Sequence, residues 1–187
     1  MKPQHLIPAV LALLGVASPG LAQETPGPSV GEAFPHSLEA ADQNGAARSL
    51  DDLYGDKGVV VFFVRSADWC PFCRTQLADA NTRLPEFQAL GLNVVSVSVD
   101  EVELVTRFAD SAGINYTMLA DPNGDINESL GIRDPQYPVG SAAFGVPRPT
   151  LYVIDSTGVI RARYMEPTYR TRPDLDVVLT DAAALDL

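Results

Sequence analysis

The sequence is poor in the residues that most enzymes use for chemistry. It holds two cysteines, two histidines and one tryptophan in 187 residues. Two cysteines, Cys70 and Cys73, cannot build a scaffold of several disulfides, and with His36 alone beyond the N-terminal segment they fall short of a four-ligand zinc site. One histidine beyond the N-terminal segment leaves no Ser/His/Asp set to assemble. Basic residues are also scarce, 13 Lys+Arg against 24 Asp+Glu, for a net charge of -11. Phosphate binding needs a basic footprint, so nucleic acid is excluded as the main partner. Neither a Gly-rich phosphate loop nor an internal repeat occurs. The 46% hydrophobic share nevertheless suffices for one folded core and excludes a disordered chain.

The N-terminal segment reads as an address. Lys2 precedes the apolar run Leu6 to Ala17, and the small residues Gly20 and Ala22 follow. This is the pattern of a secretory signal peptide, and the run is shorter than the ~18 residues of a spanning helix. Cleavage is expected after Ala22, giving a signal peptide over 1–22, a linker over 23–30 and one domain over 31–187. The expected location is exported, periplasmic in a bacterium and otherwise secreted. No stable membrane association is expected after cleavage, because the remaining chain is acidic.

The domain reads as α/β with a mixed sheet. Gly58 to Val64 is a continuous apolar run rich in valine and phenylalanine, which fits a strand buried on both faces. A helical pattern runs from Cys70 to about Leu90, with Pro85 expected to kink or split it. Leu92 to Val99 alternates as a second strand, and strand–helix–strand at this spacing predicts a parallel pair. A helix is predicted over Val102 to Ala112, an extended segment over Tyr116 to Leu119 and a short helix over Asn127 to Leu130. Thr150 to Ile154 and Val159 to Tyr164 form a predicted hairpin around Asp155-Ser-Thr-Gly158. A last helix is predicted over Pro173 to Leu187, with the proline in its first turn. Arg133 to Pro149, with four prolines, is an irregular stretch expected to border a substrate groove, with Tyr137 and Phe144 as candidate contacts. Asp121-Pro-Asn-Gly-Asp125 is a polar turn, since Ile126 stands where a calcium loop needs glycine.

Cys70-Pro-Phe-Cys73 stands at the junction of a buried strand and a helix. Unpaired N–H groups and the positive end of the helix dipole stabilise a thiolate in a first turn. Pro71 costs no hydrogen bond there. Cys73, one turn on, can reach a mixed disulfide on Cys70. Cys70 is therefore expected to attack and Cys73 to resolve, with Trp69 and Phe72 as an apolar rim that binds substrate and Arg74 as a possible source of positive field. A structural role alone explains the pair poorly: closing four residues is worth roughly 2 kcal/mol, against ~3 for a 15-residue loop.

These residues carry a resemblance. Ala67-Asp-Trp-Cys-Pro-Phe-Cys73 after an apolar strand resembles the active site of the thioredoxin-like superfamily. The pattern from Gly31-Glu-Ala-Phe-Pro35 to Pro149-Thr-Leu-Tyr-Val-Ile-Asp155 resembles its redoxin branch, the alkyl hydroperoxide reductase/thiol-specific antioxidant proteins. The resemblance implies a thioredoxin-like fold, a central mixed β-sheet flanked by helices. It also implies a cis-Pro149 facing the cysteines and bordering the substrate. Peroxiredoxins are similar at Arg148, where an arginine acts on the thiolate and the peroxide, which makes Arg148 a candidate catalytic residue. Their Pro and Thr/Ser, seven and three residues before the cysteine, are absent here: Phe63 and Ala67 precede Cys70, and Ser66 and Cys70 precede Cys73. The buried aspartate that thioredoxin has six residues before its first cysteine is Val64.

The first expectation is an exported thiol–disulfide oxidoreductase acting on protein disulfides. The alternative is a thiol peroxidase that reduces hydroperoxides, and a third reading is a binding or redox-sensing module. A reducing partner protein is implied; no cofactor and no metal are.

Overall fold

The structure is a computed structural model, and it describes residues 26–187. The proposed signal peptide lies outside the described residues. Seven strands form one sheet in the order β2-β1-β5-β4-β3-β6-β7. They are β1 (Ala40–Asp42), β2 (Ala47–Arg48), β3 (Gly58–Phe63), β4 (Leu92–Ser98), β5 (Thr117–Ala120), β6 (Thr150–Asp155) and β7 (Ile160–Met165). The helices are α1 (Pro71–Thr82), α2 (Leu84–Ala89), α3 (Val102–Ala112), α4 (Asp125–Ser129) and α5 (Leu175–Ala184). β3, β4 and β5 run parallel, and β6 and β7 return antiparallel on one side. The mixed sheet flanked by helices is the expected architecture.

β3 is buried throughout, because its side chains serve two cores. Val60 and Phe62 face a cluster with Leu77 of α1, Phe87 of α2, Phe108 of α3 and Val178 of α5. Val59, Val61 and Phe63 face Phe34, Leu38, Ile126 and Tyr152. A strand with apolar partners on both faces needs a continuous apolar run, and that is how it is written. Val60 pairs with Val94 on one side and Val153 on the other, which fixes the register from both flanks. The end of β3 is thereby held in place, and the reactive loop follows it directly.

The predicted helix from Cys70 is split in two. α1 ends at Thr82 and α2 begins at Leu84, with Pro85 in its first turn, where its missing N–H costs nothing. Pro173 lies outside α5: Asp174 is the N-cap and its side chain accepts the Asp176 N–H. An aspartate cap takes precedence over the proline. β1 and β2 are absent from the sequence reading. They are short and lack the β-branched residues that mark a strand, but the available signal was Asn44-Gly45, a hairpin pair in which Gly45 takes φ +75°. Residues 26–28, within the stretch read as a linker, lie against the domain: Arg163 donates to the carbonyls of Pro26, Gly27 and Pro28.

At the β6–β7 turn, burial opposes the charge of Asp155. Hydrogen bonds from the Thr157 hydroxyl, the Val159 N–H, Arg161 and the Thr157 N–H outweigh it and hold the carboxyl at about 2. The folded carboxyl is thus more acidic than in the unfolded chain, so its contribution is present above about pH 4 and lost as pH falls towards 2. In urea unfolding from pH 5 to 2, Asp155→Asn is expected to lower stability at neutral pH and to flatten the acid slope relative to wild type.

Candidate active site

The loop Arg65–Trp69 is shaped by one buried carboxylate. Asp100, just past β4, accepts the Ser66 hydroxyl on Oδ1 at 2.6 Å, and on Oδ2 the Ala67 N–H at 2.6 Å and the Ser98 hydroxyl at 2.8 Å. Ser66 Oγ in turn accepts the N–H groups of Asp68 and Trp69. Polar groups of a loop buried at the end of a hydrophobic strand need partners, and one aspartate supplies them directly for Ser66 and Ala67 and, through Ser66, for Asp68 and Trp69. The loop leads into α1 at a set angle. Asp100 escaped the sequence reading, although Ser96, Ser98 and Asp100 form a polar row at every second residue along the end of β4 and just past it.

Cys70 is the N-cap of α1, with Pro71 at the first helical position. Cys70 and Cys73 are joined in a disulfide with Cα atoms 5.3 Å apart. Cys70 Sγ accepts the Cys73 N–H at 3.3 Å, an orphan donor of the first turn aimed at sulfur. The sulfurs are covered: Cys70 is 2% exposed and Cys73 0%. Around them Trp69 and Phe72 are exposed, at 44% and 41%.

The cover is the segment from Glu166 to Asp174, between β7 and α5. Tyr169 packs edge-on against Phe72 with ring centroids 6.1 Å apart. Arg172 Nη1 donates to the carbonyls of Tyr169 and Thr171, and its Nη2 lies 3.1 Å from Cys73 Sγ and 4.0 Å from Cys70 Sγ. Burial, then the nearby charge of Arg65, pull the Arg172 pKa down to about 10 against the opposing pull of Glu166. The Arg65 guanidinium lies among the rings of Trp69, Tyr137 and Tyr169, 4.9, 4.9 and 4.6 Å from their centroids. Tyr137 thus brings the loop 133–149 against Arg65. Phe144 packs instead under Arg133. Beside the disulfide, a pocket of about 420 Å³ is lined by Phe72, Gln76, Arg172 and Leu175, among others.

Two expectations from the resemblance take a different form. The bond before Pro149 is trans, as are all peptide bonds among the described residues. Trans is the default by about 0.5–1 kcal/mol, and here the ladder starts without help: Thr150 pairs with Phe63, and the Pro149 carbonyl accepts the Glu166 N–H. Pro149 therefore ties the cover to the sheet. The arginine in contact with the sulfurs is Arg172. Arg148 donates its backbone N–H to Ile132 and accepts the Thr150 hydroxyl at its carbonyl, while its guanidinium makes no hydrogen bond or ion pair with a described residue. Arg74 does not touch sulfur either; it reaches the Asp68 carbonyl and the face of Phe108. No local pattern marked Arg172, which is 99 residues beyond Cys73.

The family model of the AhpC/TSA proteins matches residues 30–163, which takes in the whole sheet up to β7 and the reactive helix. The chain belongs to the AhpC/TSA family. AhpC/TSA relatives include the peroxiredoxin Bcp of Escherichia coli, 28% identical over 138 residues, 74% of this chain and 85% of that one. A peroxiredoxin of Methanocaldococcus jannaschii is 29% identical over 167 residues, 86% of this chain and 73% of its own. Among solved structures, the peroxidoxin BcpB of Mycobacterium tuberculosis superposes with a TM-score of 0.70 at 23% identity, covering 87% of this chain and 98% of its own. The fold is the thioredoxin-like one of peroxiredoxins. As an AhpC/TSA protein with a closed Cys70–Cys73 pair, the chain is a thiol-based oxidoreductase.

Removing the Asp100 carboxylate takes the acceptor from two buried hydroxyls, Ser66 and Ser98, and from the Ala67 N–H, each loss worth about 1–3 kcal/mol. Asp100→Ala is expected to lower stability by at least ~2 kcal/mol in urea unfolding. It should also slow thiol oxidation in the fraction that remains folded, because the loop no longer fixes the direction of α1.

Proposed function

We propose that the protein is a thiol peroxidase whose cycle closes the Cys70–Cys73 disulfide. The Cys70 thiolate attacks the terminal oxygen of a hydroperoxide, the O–O bond breaks, and an alcohol leaves after taking a proton. Cys70 is then a sulfenic acid. Cys73 attacks that sulfur, the S–S bond forms and hydroxide leaves as water. A partner dithiol restores both thiols and is itself oxidised to a disulfide. The observation that carries this reading is the closed pair at the N-terminus of α1 in an AhpC/TSA frame. The names of the relatives, peroxiredoxins from bacteria and an archaeon, support it.

The second reading, thiol–disulfide exchange with another protein, is favoured by the exposed apolar rim of Trp69 and Phe72. A flat apolar rim suits a polypeptide better than a small peroxide. The missing Pro and Thr/Ser before Cys70 favour it too. The N-terminal pattern of Met1 to Ala22 supports export, to the periplasm in a bacterium, where either cycle needs a dedicated reductant.

Mixing the reduced protein with hydrogen peroxide, with an organic hydroperoxide and with a protein disulfide separates the readings. Thiol loss with one of the hydroperoxides is expected to be about 10²-fold faster than for free cysteine, the scale on which aligned donors act. A peroxide rate equal to that of free cysteine, with fast reaction on the protein disulfide, would replace the first reading by the second. Cys70→Ser is expected to be inert to peroxide. Cys73→Ser is expected to stop at a sulfenic acid, detected by mass spectrometry.

A further inference from the structure

Two guanidiniums meet at the reactive pair, and among the described residues neither has a carboxylate bonded to it. Arg172 reaches both sulfurs, Cys73 more closely, and Arg65 lies near enough to act on its charge. The Nε of each is buried without a hydrogen-bond partner. The other groups that face this place are Tyr137 of the 133–149 loop, Tyr169 and Glu166 of the cover, and the first-turn N–H of Cys73. Glu166 acts on Arg172 without an ion pair, and the two tyrosines present ring faces to Arg65. Burying like charges side by side is costly unless an anion joins them. The disulfide brings no charge. The dithiol form can bring one, as a thiolate.

We propose that Arg172 holds Cys73 as a thiolate in the reduced protein, so that the resolving step needs no proton-accepting base. The proposal deepens the dithiol cycle described above and rests on it. Burial by itself would raise the thiol pKa of Cys73, which is wholly covered. A guanidinium at 3.1 Å from its sulfur works in the opposite direction. In the resolving step the electron pair of the Cys73 thiolate attacks the Cys70 sulfenic sulfur. The S–S bond forms, the S–O bond breaks, and the departing hydroxide takes a proton from solvent. Cys73 sulfur is oxidised as the sulfenic sulfur is reduced. In the return step a partner thiolate attacks Cys70 and expels the Cys73 sulfur, which leaves as a thiolate onto Arg172. A leaving thiol of lower pKa departs faster. One residue thus serves both directions: Arg172 is a catalytic residue that touches a reacting atom, and Arg65, itself held among three rings, adds positive charge beside it.

The test is the titration of a single thiol, followed by thiolate absorbance near 240 nm, which requires neither peroxide nor partner. In Cys70→Ser protein, Cys73 is expected to titrate at least one unit below the ordinary value of about 8.5. Adding Arg172→Gln should reduce the thiolate fraction at neutral pH about tenfold, and Arg172→Lys should restore part of it. In Cys73→Ser protein, Arg172→Gln should change the Cys70 titration by a smaller factor, because Cys70 keeps the helix N–H. In the two-cysteine protein, Arg172→Gln should shift the dithiol–disulfide equilibrium about tenfold towards the disulfide, ~30 mV. A Cys73 titration at or above 8.5 with Arg172 intact, or one that Arg172→Gln leaves unchanged, overturns the proposal. If Arg172→Gln does not fold, the Cys70→Ser titration alone decides. A protein inert to peroxide whose Cys73 still titrates low would retain the Arg172 assignment and remove the peroxidase reading.

Discussion

Reactivity in this fold depends on one buried carboxylate holding a short loop still. Asp100 binds Ser66 and Ala67 and, through Ser66, Asp68 and Trp69. Strand β3 delivers the chain to that point, and its register is fixed from both sides by valine pairs. From there the loop sets where Cys70 caps α1 and which N–H meets its sulfur. Packing, loop geometry and sulfur chemistry are therefore one continuous chain of contacts.

The second layer of the site comes from the far end of the chain. The segment between β7 and α5 lays Tyr169 and Arg172 over the pair, and its start is tied to Pro149 at the head of β6. The disulfide is consequently closed off from solvent while its rim remains exposed. In the cycle proposed above, the reductant would meet the covered disulfide and the peroxide the dithiol form. The two half-cycles thus make different demands on the same nine residues, and the two functional readings differ in which demand the cover serves.

The parts of the fold legible in the sequence were those with strong local signals. Gly58 to Phe63 is apolar at every position after the glycine, Leu92 to Ser98 alternates, and Pro85 splits its helix as a proline in that place must. The hairpin of β1 and β2 went unseen because strands of three and two residues carry no periodicity; only Asn44-Gly45 marked it. Within the site, Cys70, Cys73, Trp69 and Phe72 stand together in one motif and were visible for that reason. Arg65, Asp100 and Arg172 were not, since each works through contacts that join distant stretches. Arg148 illustrates the converse: a residue in a family-like position whose backbone anchors β6 while its side chain leaves the sulfurs to another arginine.

The loop also gives the molecule an optical property. Trp69 is the sole tryptophan, it adjoins Cys70 in sequence, and its ring lies on Arg65. All indole emission therefore originates within the reactive loop. A change in indole emission thus reports on this loop and on the Arg65 guanidinium that lies over the ring, with no added label.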